Sequence, residues 1–157
     1  MLLLNAMTQE EKFKFMARYV PSVPGYTDWN GGVDGNNRLQ YPPIYYQKGS
    51  QGFVDNLNIG STTVLPSLLA LTQAWDPELA EKYGKALGSE FRQKGAGLVF
   101  GPGINMMRTG VNGRDFEYLS GEDPYLASQL VGTAVCYCHQ LLHSNRCNPA
   151  PTEHTWP

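Results

Sequence analysis

Two groups of side chains in this chain have types and spacings suited to chemistry. The first is Arg108, Arg114, Asp115, Glu117, Glu122 and Asp123. Two carboxyl groups facing one reacting bond can act as general acid and base. Asp115 and Glu117 are two positions apart, so on an extended segment they share a face. Carboxylates in an arginine-bearing loop are more often spent on ion pairs, and Asp123, just before Pro124, is already explained as a helix N-cap. The spacing therefore predicts a charge network, with Arg108 and Arg114 paired to Glu117 and Glu122, rather than a catalytic pair. The second group is Cys136, Cys138, His139, His143 and Cys147. His139 and His143 lie one helical turn apart, and thiolates with imidazoles suit zinc. Cys138 points to another face, however, and the gaps are not a common structural-zinc spacing. The expectation is a helix end followed by a tail, with no metal. Three cysteines imply no complete disulfide framework.

A glycine turn at 101–103, G-P-G, lacks the Walker lysine–serine ending and the dinucleotide glycine spacing. It reads as a tight turn at the C-terminal end of a strand, and no cofactor is expected.

The elements that must position these residues follow from caps and periodicity. Thr8 and Glu11 form a capping box for a helix over 8–20, with Phe13, Phe15, Met16 and Val20 as its apolar side. Residues 21–42, rich in Gly, Asn, Asp and Pro, read as a long loop. Short strands are predicted at 43–47, 61–65 and 96–100, the last as a buried parallel strand. A short helix over 66–74 carries Pro66 in its first turn. Asp76-Pro77 opens the next helix, with Leu79, Tyr83, Ala86, Leu87 and Phe91 at helical spacing and Gly95 closing it. Asp123-Pro124 starts another, running to about His143. The final stretch, 144–157, has no period and three prolines, and reads as an unstructured tail. Alternating strand and helix predict an α/β class with parallel strands.

The 157 residues suffice for one domain with a core, but not for a complete (β/α)₈ barrel, which takes at least about 200. A net charge of −2 without a basic run argues against nucleic acid. No segment is long and apolar enough to span a membrane. The start, M-L-L-L-N-A-M-T, does not read as a signal peptide.

Three blocks resemble glycoside hydrolase family 3, the β-glucosidase-like enzymes, over residues 7–140. They are T-Q-E-E-K-F-K-F, P-P-I-Y-Y-Q-K-G-S-Q-G-F-V-D, and G-P-G-I-N-M-M-R with G-R-D-F-E-Y-L-S-G-E-D-P-Y-L. The third is the most specific, and is ungapped against the family's G-P-x-x-N-x-x-R…G-R-N-F-E-x-x-x-E-D-P-x-L apart from Gly121. The resemblance implies the opening part of a (β/α)₈ barrel, here incomplete, over 1–143. It also implies retaining hydrolysis of terminal β-glucosyl residues of glycosides or oligosaccharides, without a cofactor, by an enzyme family often secreted. Arg114 corresponds to a sugar-contacting arginine. The family's sugar-binding Asp is replaced by Lys48, a donor-only cation, and its motif-closing Arg by Val54. The family's lysine–histidine pair is missing, since His139 and His143 do not sit in that motif, and the nucleophile and acid/base would lie beyond Pro157. The implied expectation is a truncated β-glucosidase-like chain, inactive alone and self-associating through an open sheet edge. A non-catalytic carbohydrate-binding or interaction module is the alternative.

Overall fold

A computed structural model describes residues 2–16, 29–55 and 60–143, with the backbone alone for Leu2, Tyr137 and 139–143. The predicted tail, the proline stop at 21–24 and Val20 lie outside the described residues.

Helices α1 (Leu2–Ala6) and α2 (Gln9–Met16) open the chain. The capping box forms: the Thr8 backbone N–H donates to Glu11 Oε2 at 2.8 Å, and the Glu11 N–H donates to Thr8 Oγ1 at 3.2 Å. Arg38 and Asn36 also donate to Glu11, tying α2 to the turn that follows β1 (Gly31–Val33). Phe13, Phe15 and Met16 do not make a buried side; all three are exposed, because α2 rides on the outside of the molecule.

The sheet has the order β1-β2-β3, with β2 over Ile44–Lys48 and β3 over Leu98–Phe100. It is mixed, which corrects the all-parallel expectation. β2 and β3 are parallel, Tyr46 opposite Leu98, whereas β1 runs antiparallel to β2, Gly31 opposite Tyr46. β1 falls inside the span read as loop. Its second glycine sits tight against its neighbour, because a Cβ on Gly32 would meet the Ile44 carbonyl oxygen at 2.8 Å.

The segment predicted as a strand at 61–65 is irregular. Its backbone groups are spent elsewhere: the Thr63 N–H donates to the Glu90 carboxylate at 2.9 Å and the Leu65 N–H to the Gln51 carbonyl at 2.8 Å. Helix α3 covers Leu68–Gln73, and its N-cap is Ser67, whose hydroxyl accepts from the Ala70 N–H. Pro66 thus precedes the cap instead of occupying the first turn.

Helix α4 (Pro77–Gln93) follows the prediction closely. Asp76 caps it, Oδ1 accepting from the N–H groups of Glu78 and Leu79, and Pro77 takes the first position. Lys94 is the C-cap, and Gly95 follows it at φ +84°. In helix α5 (Pro124–His143), Asp123 accepts from the Tyr125 N–H. α4 and α5 pack with glycines at their seam: a Cβ on Gly84 would lie 2.3 Å from the Ala134 carbonyl oxygen, and one on Gly88 2.4 Å from that of Cys138. Tyr83, Leu87 and Phe91 of α4 join Leu130, Ala134 and Cys138 of α5, Leu68 and Leu71 of α3, and Trp29 and Phe53 in one core. Burying each leucine-sized side chain there is worth about 1.5–3 kcal/mol. No helix among the described residues is long and apolar enough to cross a membrane.

Candidate functional site

The site begins where β2 and β3 end. Both strands point the same way, so Lys48 and Phe100 arrive side by side, and the Gly49 N–H donates to the Phe100 carbonyl at 3.2 Å. The chain leaves each strand through a glycine. At Gly49 a Cβ would stand 2.4 Å from Val99 Cγ2 and 2.6 Å from Phe91 Cζ, so no larger residue fits without displacing the core. The Gly101–Pro102 bond that follows β3 is cis. Loops at the C-terminal ends of parallel strands are where α/β proteins build their substrate sites.

The segment after β2, residues 48–55, is fixed from several sides. Gln47, fully buried, donates through Nε2 to the Val54 carbonyl at 2.9 Å and accepts the Lys48 N–H at 3.0 Å. The Tyr83 hydroxyl on α4 donates to the Ser50 carbonyl, and burial raises its pKa above the ordinary phenol value. Asp55, its side chain wholly buried, pairs with Lys94 at 3.3 Å, and the Ser61 hydroxyl donates to the same carboxylate oxygen.

The loop after β3 is held equally firmly. The Leu119 N–H donates to the Gly103 carbonyl at 2.8 Å, and the Met107 N–H to that of Gly121 at 2.7 Å. The Ser120 hydroxyl donates to the Ile104 carbonyl at 2.6 Å, and the buried Thr72 hydroxyl donates to that of Leu119. A 3₁₀ turn, Asp115–Glu117, closes the loop.

Between these two loops lies an open cleft of about 510 Å³. Lys48, Gly49 to Val54, Thr63, Val64, Phe100, Arg114, Glu117 and Asn30 line it. The sequence-predicted residues Lys48, Val54 and Arg114 therefore meet in one cavity. Arg114 donates through Nε to the Glu117 carboxylate, which raises the guanidinium pKa above its ordinary value. At 72% side-chain exposure, Arg114 stands at the cleft mouth with its two terminal nitrogens unpartnered among the described residues. Lys48 is exposed and has no side-chain partner among the described residues. Phe100, 53% exposed and tilted against Tyr46 at 4.8 Å between ring centroids, offers an aromatic wall.

The predicted charge network holds in one of its two arms. Arg114 and Glu117 pair, while Arg108 and Glu122 are exposed and form no ion pair among the described residues. Asp115 and Glu117 do not share a face on an extended segment. The 3₁₀ turn separates them, leaving Asp115 buried, with Oδ1 accepting from Asn112 Nδ2 at 2.8 Å and Oδ2 without a partner. Glu117 is the one carboxylate among the described residues that line the cleft. In the cysteine–histidine group, Cys138 is a buried free thiol. The side chains of His139 and His143, and all of Cys147, lie outside the described residues. Sequence reasoning missed Phe100, although its place as the last apolar residue before G-P-G marks a strand end. It also missed the 63–64 rim, which is assembled by tertiary contacts alone.

Known proteins resemble this chain in sequence and fold. The profile of the glycosyl hydrolase family 3 N terminal domain matches residues 33–141. Beta-glucosidase BoGH3A of Bacteroides ovatus is 35% identical over 161 aligned positions, covering 90% of this chain and 20% of that protein. A beta-glucosidase of Rhizobium radiobacter is 48% identical over 129 positions, covering 80% of this chain and 14% of its own length. Among solved structures, beta-glucosidase 3B from Thermotoga neapolitana in complex with alpha-D-glucose superposes with a TM-score of 0.77 at 28% identity, covering 89% of this chain and 21% of that one. The chain thus spans between about a seventh and a fifth of the length of these relatives.

Proposed function

The chain belongs to glycoside hydrolase family 3, and from that premise we propose that residues 33–141 form the opening part of a β-glucoside-binding barrel in which Arg114 contacts the sugar. The observation that carries this reading is the convergence of Arg114, Lys48 and Phe100 on one cleft at the C-terminal ends of two parallel strands. A guanidinium with free donors suits sugar hydroxyls, and an exposed aromatic face suits the apolar side of a pyranose ring. In its relatives such a segment would supply part of the cleavage subsite, for two-step retaining hydrolysis of a terminal β-glucosyl residue.

The 157 residues do not hydrolyse on their own in this reading. Retaining chemistry takes two carboxyl groups across the scissile bond. The described cleft offers Glu117, already engaged by Arg114. The test is turnover of p-nitrophenyl β-glucoside by the purified chain. No release above background is expected, and turnover abolished by Arg114→Ala would overturn the reading.

The same shortage of carboxylates favours a second reading, a carbohydrate-binding module that folds by itself. The two differ in assembly. β3 has no strand on its far side among the described residues, and an open parallel edge beside exposed Leu98 and Phe100 invites pairing. A barrel segment self-associates and melts broadly, whereas a module sediments as a monomer with a sharp two-state transition.

A further inference from the structure

We propose that the cleft selects a glycoside whose sugar carries an anionic group, a carboxylate or an acid ester, and that Lys48 reads that charge. The inference rests on the reading above, that the cleft holds a sugar. Its own observation is the charge pattern of the lining: two cations, Lys48 and Arg114, against one carboxylate, Glu117. Glu117 is spent on Arg114, so among the described residues Lys48 faces the cavity uncompensated. A neutral sugar seated there strips water from the ammonium and returns only hydroxyl oxygens. An anionic sugar returns a charge-assisted hydrogen bond, roughly twice as strong as a neutral one.

The surroundings sharpen the selection. Backbone around Lys48 is fixed by the buried Gln47 and by the bond from Gly49 to Phe100, so the base of its side chain is held at the cleft. Phe100 gives the ring a surface to lie on, and Arg114 keeps its terminal nitrogens for hydroxyls. Ring recognition and charge recognition therefore rest chiefly on different residues, and removing Lys48 should weaken binding of acidic sugars more than that of the neutral glucoside.

The test is calorimetric titration of the 157-residue chain with methyl β-glucoside, methyl β-glucuronide, glucose 6-phosphate and inorganic phosphate, repeated with Lys48→Gln. Lys48 is exposed, so the variant should fold, and circular dichroism checks it. The expected result is that an acidic sugar, the glucuronide or the phosphate ester, binds about tenfold more tightly than the glucoside. That advantage should fall to near parity in Lys48→Gln and shrink with added salt. Which acidic sugar leads identifies the source of the charge. Equal binding of glucoside and glucuronide, with the phosphate ester no tighter, overturns the inference and leaves the sugar-cleft reading standing. Inorganic phosphate binding as tightly as the acidic sugars also overturns it, since the site would then read charge without a sugar. If no sugar binds, the sugar-cleft reading fails and the inference falls with it.

Discussion

Gly88 of α4 lies so close to Cys138 of α5 that a Cβ on the glycine would stand 2.4 Å from the cysteine carbonyl oxygen. The helix pair that backs the cleft is therefore set by backbone contact. Tyr83, on the same α4 surface, reaches from that pair to the Ser50 carbonyl in the cleft loop.

Gly88→Ala should destabilise the fold by about 1–3 kcal/mol, the usual cost of overpacking, which outweighs the gain of at most ~1 kcal/mol in helix propensity. Gly132, on α5 with open space where its Cβ would be, is the control. Gly132→Ala should stabilise by about 0.5–1 kcal/mol. Urea unfolding of both variants checks the pair. Two changes of the same sign would mean that α4 and α5 do not pack as described.

Lys94→Met should cost about 1–3 kcal/mol, because it removes the cation paired with the buried Asp55 carboxylate. Ser61 still donates to Asp55 and softens the loss. Adding Asp55→Asn should recover part of it. Thermal unfolding of the single and double variants measures the coupling, and strict additivity would contradict a working pair.

Burial pushes the Cys138 thiol from about 9 up to about 11. The fold therefore favours the protonated thiol. That contribution is whole below pH 9 and is lost as pH rises through 11. Alkylation near neutral pH should label Cys138 slowly in the native chain and quickly in denaturant, as read by peptide mapping. Equal rates would contradict its burial.

Residues with local signals were legible in the sequence. Asp76-Pro77 and Asp123-Pro124 mark their helices because a side-chain cap and a proline act within one turn. The Thr8–Glu11 box worked for the same reason. What failed was decided from a distance. T-T-V at 62–64 has β-branched residues but is pulled into a rim by Glu90 and Gln51. Gly31–Val33 has no strand signal, yet pairs with β2, where Gly32 lies close against the Ile44 backbone. The burial of Asp115 had no sequence signal either: it comes from the Asn112 contact and a 3₁₀ turn. Arg114 and Lys48 were picked out by pattern resemblance, and both line the cleft, while the place of Phe100 beside them emerged only from the parallel register of β2 and β3.

The most direct test of the sugar-cleft account is a residue-by-residue map of sugar contact. Methyl β-glucoside or methyl β-glucuronide is titrated into the isotope-labelled chain while backbone amide shifts are followed by NMR. Shifts confined to residues 48–54, Phe100 and 114–117, and lost in Arg114→Ala, are the predicted result. Saturating shifts elsewhere, or a cleft response untouched by Arg114→Ala, would contradict it.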